Sequence, residues 1–174
     1  GVGAAVCGGK GVTAVPPAKE ESRQVMGRFA TGVAVVTTRL DDHLHGMTAN
    51  SVTSVSLEPL LVLVCVDRAA DTHDILARAG VFALNILSQE QEELSNHFAE
   101  KETEGAHRLD NIPHRFSATG SPILDGCLAY LDCRVVARYP GGDHTIFVGE
   151  VIDAGETNDE GPLLFYQGRY SQLA

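Results

Sequence analysis

The chain has 174 residues, 44% of them hydrophobic and 21% charged, an ordinary composition for one soluble globular domain. Thirteen Lys and Arg against 23 Asp and Glu give a formal charge of -10, which repels phosphate backbones and anionic lipid and argues against nucleic-acid or membrane-surface binding. The longest fully apolar run, Leu60 to Val66, is far short of the roughly 20 residues that a membrane helix needs.

No basic segment followed by an apolar stretch opens the chain, so no secretory signal is expected and a cytoplasmic protein is the simplest reading. Four cysteines, Cys7, Cys65, Cys127 and Cys133, form no CxxC pair and read as reduced thiols that behave as small apolar groups.

Residues 1–21 are rich in Gly and Ala, carry a Pro-Pro pair and lack sustained periodicity. They read as a flexible N-terminal leader to a domain spanning 22–174. The GGKG within the leader is not a phosphate loop, because Ala4 replaces the first Gly and Gly11 the hydroxyl residue.

From residue 33 strand signals dominate. Val33 to Thr38 is β-branched almost throughout, Asp41 and Asp42 supply a turn, and a second run starts near Leu44. Val52 to Ser56 alternates loosely and Pro59 punctuates it. Leu60 to Val66 is a continuous apolar run of the kind expected of a strand covered on both faces.

Two short helices are expected next. Asp71 is placed to cap Thr72 to Ala79, with Ile75, Leu76 and Ala79 as the buried stripe. After a strand at Val81 to Leu87, Ser88 and Gln91 have capping-box spacing, and Leu94 and Phe98 share one face of the second helix. A long connection around Gly105 runs to Ser121-Pro122.

In Ala129 to Ala137 alternate positions are apolar, with Asp132, Arg134 and Arg138 expected to point the other way. Pro140-Gly141-Gly142-Asp143 marks a turn, His144 to Ile152 returns as a partner strand, and Pro162 to Tyr166 supplies a last short strand. This density of strands predicts a mainly β fold with a few short helices, as a closed or nearly closed antiparallel barrel.

Recognised catalytic and metal signatures are absent, and no metal site is expected. His43 and His45 share one strand face without a visible third ligand, and read as solvated turn histidines. Three stretches carry candidate chemistry. Gly46 to Ser51 places small and polar side chains directly after a strand, where a flat ligand could approach the backbone; the same composition suits a Ser/Thr strand facing water. Cys65 to Thr72 offers backbone N–H groups, Arg68 and the Thr72 hydroxyl to a phosphate, but Asp67 and Asp71 oppose one, and a plain capped loop fits too. His144, at a strand entrance after Gly141-Gly142-Asp143, is placed to donate to an anion or a carboxamide, or to be a simple turn histidine.

Taken in order, Arg28-Phe29-Ala30-Thr31-Gly32-Val33, Gly46-Met47-Thr48-Ala49-Asn50-Ser51, Gly142-Asp143-His144 and Phe147-Val148-Gly149-Glu150-Val151 resemble the flavin reductase-like family. Phe165-Tyr166-Gln167-Gly168-Arg169-Tyr170 is similar to that family's C-terminal strand and tail. The resemblance implies an FMN-binding split β-barrel, usually a homodimer with flavin sites near the subunit interface. It implies an NAD(P)H:flavin oxidoreductase, taking NADH or NADPH and FMN or FAD, that supplies reduced flavin to a partner monooxygenase.

By that likeness Thr48, Ala49, Asn50 and Ser51 contact the flavin ring and ribityl chain. Val66, Asp67, Arg68 and Thr72 lie near its phosphate, Ala83 and Asn85 close the pocket, His144 stands on the nicotinamide side, and Tyr170 lies at the mouth. Ala69 and Ala70 depart from the serines often found before Thr72. Two rival readings are a tightly bound flavin electron-transfer protein and a non-redox barrel binding module.

Overall fold

A computed structural model of the protein describes residues 15–100 and 109–173. In chain order the described elements are α1 (Lys19–Met26), β1 (Thr31–Gly32), β2 (Ala34–Leu40), β3 (His43–Ala49), β4 (Val52–Leu57), β5 (Leu60–Asp67), α2 (Asp71–Ala79), β6 (Val81–Ile86) and α3 (Glu92–Ala99). They continue with β7 (His114–Phe116), β8 (Pro122–Leu124), β9 (Ala129–Gly141), β10 (His144–Glu156), β11 (Leu164–Tyr166) and β12 (Arg169–Ser171). The mainly β expectation holds, and no described helix is long and apolar enough to cross a membrane.

Seven antiparallel strands form one sheet in the order β3-β2-β6-β9-β10-β5-β4. Its two edge strands are consecutive in the chain. Ala49 on β3 pairs with Ala34, Val52 on β4 pairs with Val64, and only Asn50 and Ser51 lie between. Three residue steps span at most about 11 Å. The strip is therefore forced to curl until its edges nearly meet, without hydrogen-bonded pairing of β3 with β4, which makes a split barrel. The interior is filled by Val36, Val62, Val64, Val66, Phe82 and Phe147, among others.

Against expectation β5 is not covered on both faces, whereas β2 is. Val35, on the outer side of β2, packs with Leu87, Phe98 and Leu124 beneath α3 and β8, while Val36 joins the interior. On β5, Val62, Val64 and Val66 are buried, whereas Leu61, Leu63 and Cys65 are only partly covered, the last two lining an open cleft. An all-apolar run thus hides a strand with a half-open outer face.

Other local expectations change in the same way. The helix expected after Asp71 begins at that residue: Ala70 occupies the N-cap position, with no side-chain cap. Ser88 and Gln91 do form the expected capping box, around a 3-10 turn at Gln89–Gln91 that leads into α3. A third helix, α1, straddles the expected leader boundary at residue 21; residues 1–14, with Cys7, and the connection around Gly105 lie outside the described residues.

The connection also holds the unforeseen β7–β8 hairpin. Asp132, expected outside, is fully buried, because the Thr119 backbone N–H (2.7 Å) and hydroxyl (2.5 Å) donate to its carboxylate. His45, expected in solvent, is buried against α2, with its Nε2 2.6 Å from the Thr72 hydroxyl.

Candidate functional site

The one-step crossing between the sheet edges puts Asn50 in the open at the seam, between buried Ala49 and exposed Ser51. Ser51 is already tied to β5: Cys65 N–H donates to its carbonyl at 3.1 Å, and its hydroxyl donates to the Cys65 carbonyl at 2.9 Å. Asn50 lines three adjoining clefts of about 580, 350 and 170 Å³. The largest has an apolar wall of Phe29, Leu63, Cys65 and Phe165, with Thr31, Ser51 and Thr53 as polar lining.

A concave, mostly apolar surface with a few converging polar groups suits a planar ligand. The Thr31 hydroxyl oxygen is buried beside this cleft with no hydrogen-bond partner. A buried hydroxyl left unsatisfied is costly. Thr31 itself lines the cleft, so a turn of its side chain would offer that hydroxyl to a ligand carrying ring nitrogens and carbonyls.

Thr48 does not spend its hydroxyl on the cleft; it donates to the Ser95 carbonyl on α3 at 2.6 Å. The buried Ser95 hydroxyl in turn lies 2.8 Å from the Tyr170 hydroxyl, and the Tyr170 ring meets Phe165 edge-on at 5.6 Å. Tyr170 thus lines the smallest cleft and fastens the C-terminal hairpin to α3. Gly46, in the same motif, has a different use from close ligand approach: a Cβ there would lie 2.5 Å from Phe98 Cε1, so the missing side chain makes room for α3.

Two residues beyond Cys65 along β5, Asp67 pairs across the ladder with His144 on β10. The Gly142-Asp143 turn, with φ +71° at Gly142, fits the type that favours Gly at its first central position. It brings the Asp143 carbonyl to the Arg68 N–H at 3.0 Å. His144 Nδ1 lies 2.8 Å from the Asp143 carboxylate, and that hydrogen bond, then the imidazole's charge, holds the carboxyl below its usual range. Asp67, Arg68 and Asp143 are exposed, His144 partly so.

The loop's own amides are largely spent. Ala69 N–H donates to the Asp67 carboxylate at 2.9 Å and Ala70 N–H to the Asp67 carbonyl at 3.1 Å.

Four expected residues stand behind the wall. Val66 and Thr72 are buried, the latter against His45. Ala83 and Asn85 lie beneath β8. The Asn85 amide nitrogen donates to the Val35 carbonyl (3.1 Å) and Thr37 hydroxyl (2.9 Å), and its oxygen accepts from Leu124 N–H (2.8 Å). The structure therefore gathers Asn50 and Ser51 at the cleft, with Ala49 and Tyr170 at its edge, and leaves Asp67, Arg68 and His144 further along β5 and β10, outside the residues that line it.

Reading the sequence passed over Thr31 and Ser95. Thr31 had a signal, its place in the quoted Arg28 to Val33 segment; Ser95 had none. Among the described residues no group of three or more His, Cys, Asp or Glu side chains is placed to hold a metal ion.

The flavin reductase like domain family matches residues 26–174. An NADH-dependent flavin reductase from Rhodococcus sp is 43% identical over 155 residues, covering 87% of this chain and 84% of that protein. The reductase component of 4-hydroxyphenylacetate 3-monooxygenase from Thermus thermophilus is 40% identical over 156 residues, 89% of this chain and 97% of that one. The solved structure of a Streptomyces globisporus NADH:FAD oxidoreductase in complex with NAD and FAD fragments superposes with a TM-score of 0.83 at 40% identity, covering 90% of this chain and 93% of that chain.

Proposed function

This chain belongs to the flavin reductase-like family, and from that premise we propose that it is an NAD(P)H:flavin oxidoreductase releasing reduced FMN or FAD to a partner oxygenase. The observation that carries the reading is the seam at Asn50: an exposed residue over an apolar cleft of about 580 Å³, beside a buried, unpartnered Thr31 hydroxyl. The residues present fit a flavin. When bound together, nicotinamide and flavin supply the hydride chemistry, so the chain needs no nucleophile or strong base.

The chain's residues bind and orient. Asn50 and Ser51 offer main-chain groups to the ring edge, the Thr31 hydroxyl gains its missing partner, and Leu63, Cys65 and Phe165 exclude water from one ring face. Thr48 acts through its bond to Ser95, which fixes the end of β3. His144, paired with Asp143, is assigned to the nicotinamide carboxamide. Arg68 is assigned to the flavin phosphate, since the amides of Ala69 and Ala70 are engaged. Val66, Thr72, Ala83 and Asn85 support the wall from behind.

We assign a homodimer as well. The outer face of β5 is half-open, with Leu61, Leu63 and Cys65 only partly covered. Leu63 and Cys65 belong both to this face and to the cleft, so a second copy on it would wall the cleft's open side. The unpaired thiols Cys65, Cys127 and Cys133 suit the reducing cytoplasm, where we place the protein.

Purified chain assayed with NADH or NADPH against riboflavin, FMN and FAD tests the activity. Loss of reduced-nicotinamide absorbance that depends on added flavin is the expected result. No oxidation with any pair would overturn the proposal.

A further inference from the structure

The cleft takes its walls from two sheets. Asn50, Ser51, Thr53, Leu63 and Cys65 belong to the seven-stranded sheet and its edge crossing, whereas Thr31 and Phe165 belong to a separate three-stranded sheet in the order β1-β11-β12. Register pairs run from Thr31 to Phe165 and from Phe165 to Tyr170, which ties the small sheet into one piece.

Among the described residues, hydrogen bonds join that piece to the barrel in two places. At the first, Val33 N–H donates to the Leu163 carbonyl at 3.2 Å and Leu163 N–H to the Leu87 carbonyl at 3.1 Å, all three residues being buried. The second is the lone contact of 2.8 Å between the Tyr170 and Ser95 hydroxyls. The smallest cleft is lined by Val33 at the first place and Tyr170 at the second, together with Phe165, Ala49 and Asn50. A buried main-chain attachment at one end and a single side-chain bond at the other describe a hinge and a latch.

Ser95 holds both walls at once. Its carbonyl accepts from Thr48, two residues before Asn50, while its fully buried hydroxyl meets Tyr170. One hydrogen bond between neutral groups has a modest net worth, so thermal motion can break it.

We propose that Ser95 is a positioning residue: its hydroxyl latches the β1-β11-β12 wall against α3, and the latch sets how long a flavin stays in the cleft. This rests on the flavin reductase reading and adds control of release to it. The Phe165 ring meets the Tyr170 ring edge-on at 5.6 Å, so fixing Tyr170 also fixes the aromatic ring that lines the cleft. Unlatching carries Phe165 and Thr31 away from Asn50. A wall of this kind gates release without touching the reacting atoms.

The test compares wild type with Ser95→Ala, Tyr170→Phe and the double variant, with thermal unfolding to verify folding. Ser95→Ala keeps the carbonyl that Thr48 uses, and Tyr170→Phe keeps the ring beside Phe165, so each removes the latch alone. Dissociation of FMN and FAD, followed by stopped-flow fluorescence, should quicken about fivefold in each single variant, the worth of one net hydrogen bond. The double variant should go no further, because both substitutions delete the same contact. Association should stay within about twofold of wild type. In flavin-free protein, hydrogen exchange at the amides of residues 164–171 should quicken in all three variants, while β9 and β10 keep their protection.

Unchanged dissociation would overturn the inference, as would unchanged exchange at residues 164–171 or a double variant whose effect is the product of the single ones. Wild type that binds no flavin would overturn the functional reading instead, while the exchange data still decide the latch, so the two failures are distinct.

Discussion

His144 and Asp143 lie 2.8 Å apart at the β9–β10 turn, and His144 depresses the Asp143 carboxyl. A folded-state value below the unfolded one means that the contact favours the fold above the ordinary carboxylate range and is lost as pH falls through the lowered value. At working pH Asp143 is therefore an anion that orients the imidazole. His144→Ala should raise the KM for NADH several-fold more than the Kd for flavin; steady-state kinetics with each substrate varied in turn reads this. Unchanged nicotinamide kinetics would remove His144 from the site.

The thiols divide by burial. Burial, then the Asp132 charge, pushes Cys133 up to about 12, and burial raises Cys127, so both should resist alkylation in the folded protein at mildly alkaline pH. Half-buried Cys65 lines the cleft, so flavin should slow its labelling as read by peptide mapping. Equal labelling with and without flavin would place the ring elsewhere.

At the scale of elements, α3 is the piece that turns a curled sheet into a site. Phe98 fills the space over Gly46, Ser95 accepts from Thr48, and Tyr170 bonds to Ser95. Gly46→Ala would drive a Cβ into the Phe98 ring and, by the usual cost of overpacking, destabilise by about 1–3 kcal/mol. The expected fall in Tm is roughly 3–10 °C. An unchanged Tm would mean that the ring swings aside without cost. β6 offers a second lesson: the amide of Asn85 and hydroxyl of Thr37 pin β8 to the sheet, since the latter donates to the Pro122 carbonyl at 2.5 Å.

For the whole molecule the association surface is the outer face of β5, where Leu61, Leu63 and Cys65 are left partly uncovered. Apolar side chains grouped on one uncovered sheet face mark such a surface. Sedimentation should therefore give twice the chain mass, and Leu61→Glu should give monomers with weakened flavin binding. A wild-type monomer with full activity would refute the assignment.

Strand positions, the β9–β10 turn and the capping box were legible in the sequence because each is dictated by neighbours a few residues away: β-branched runs, Gly at a turn, Ser and Gln three apart. The order of motifs, too, was enough to identify the family. What local patterns do not carry is which face of an apolar strand finds a cover. That depends on where α3 and β8 dock, so β5 kept a half-open face while β2 was covered on both, and His45, Asp132 and Thr72 became interior groups. The cleft itself exists only because β3 and β4, two residues apart in the chain, end as opposite edges of a seven-stranded sheet; sequence spells Asn50, and closure of the barrel puts it at the seam.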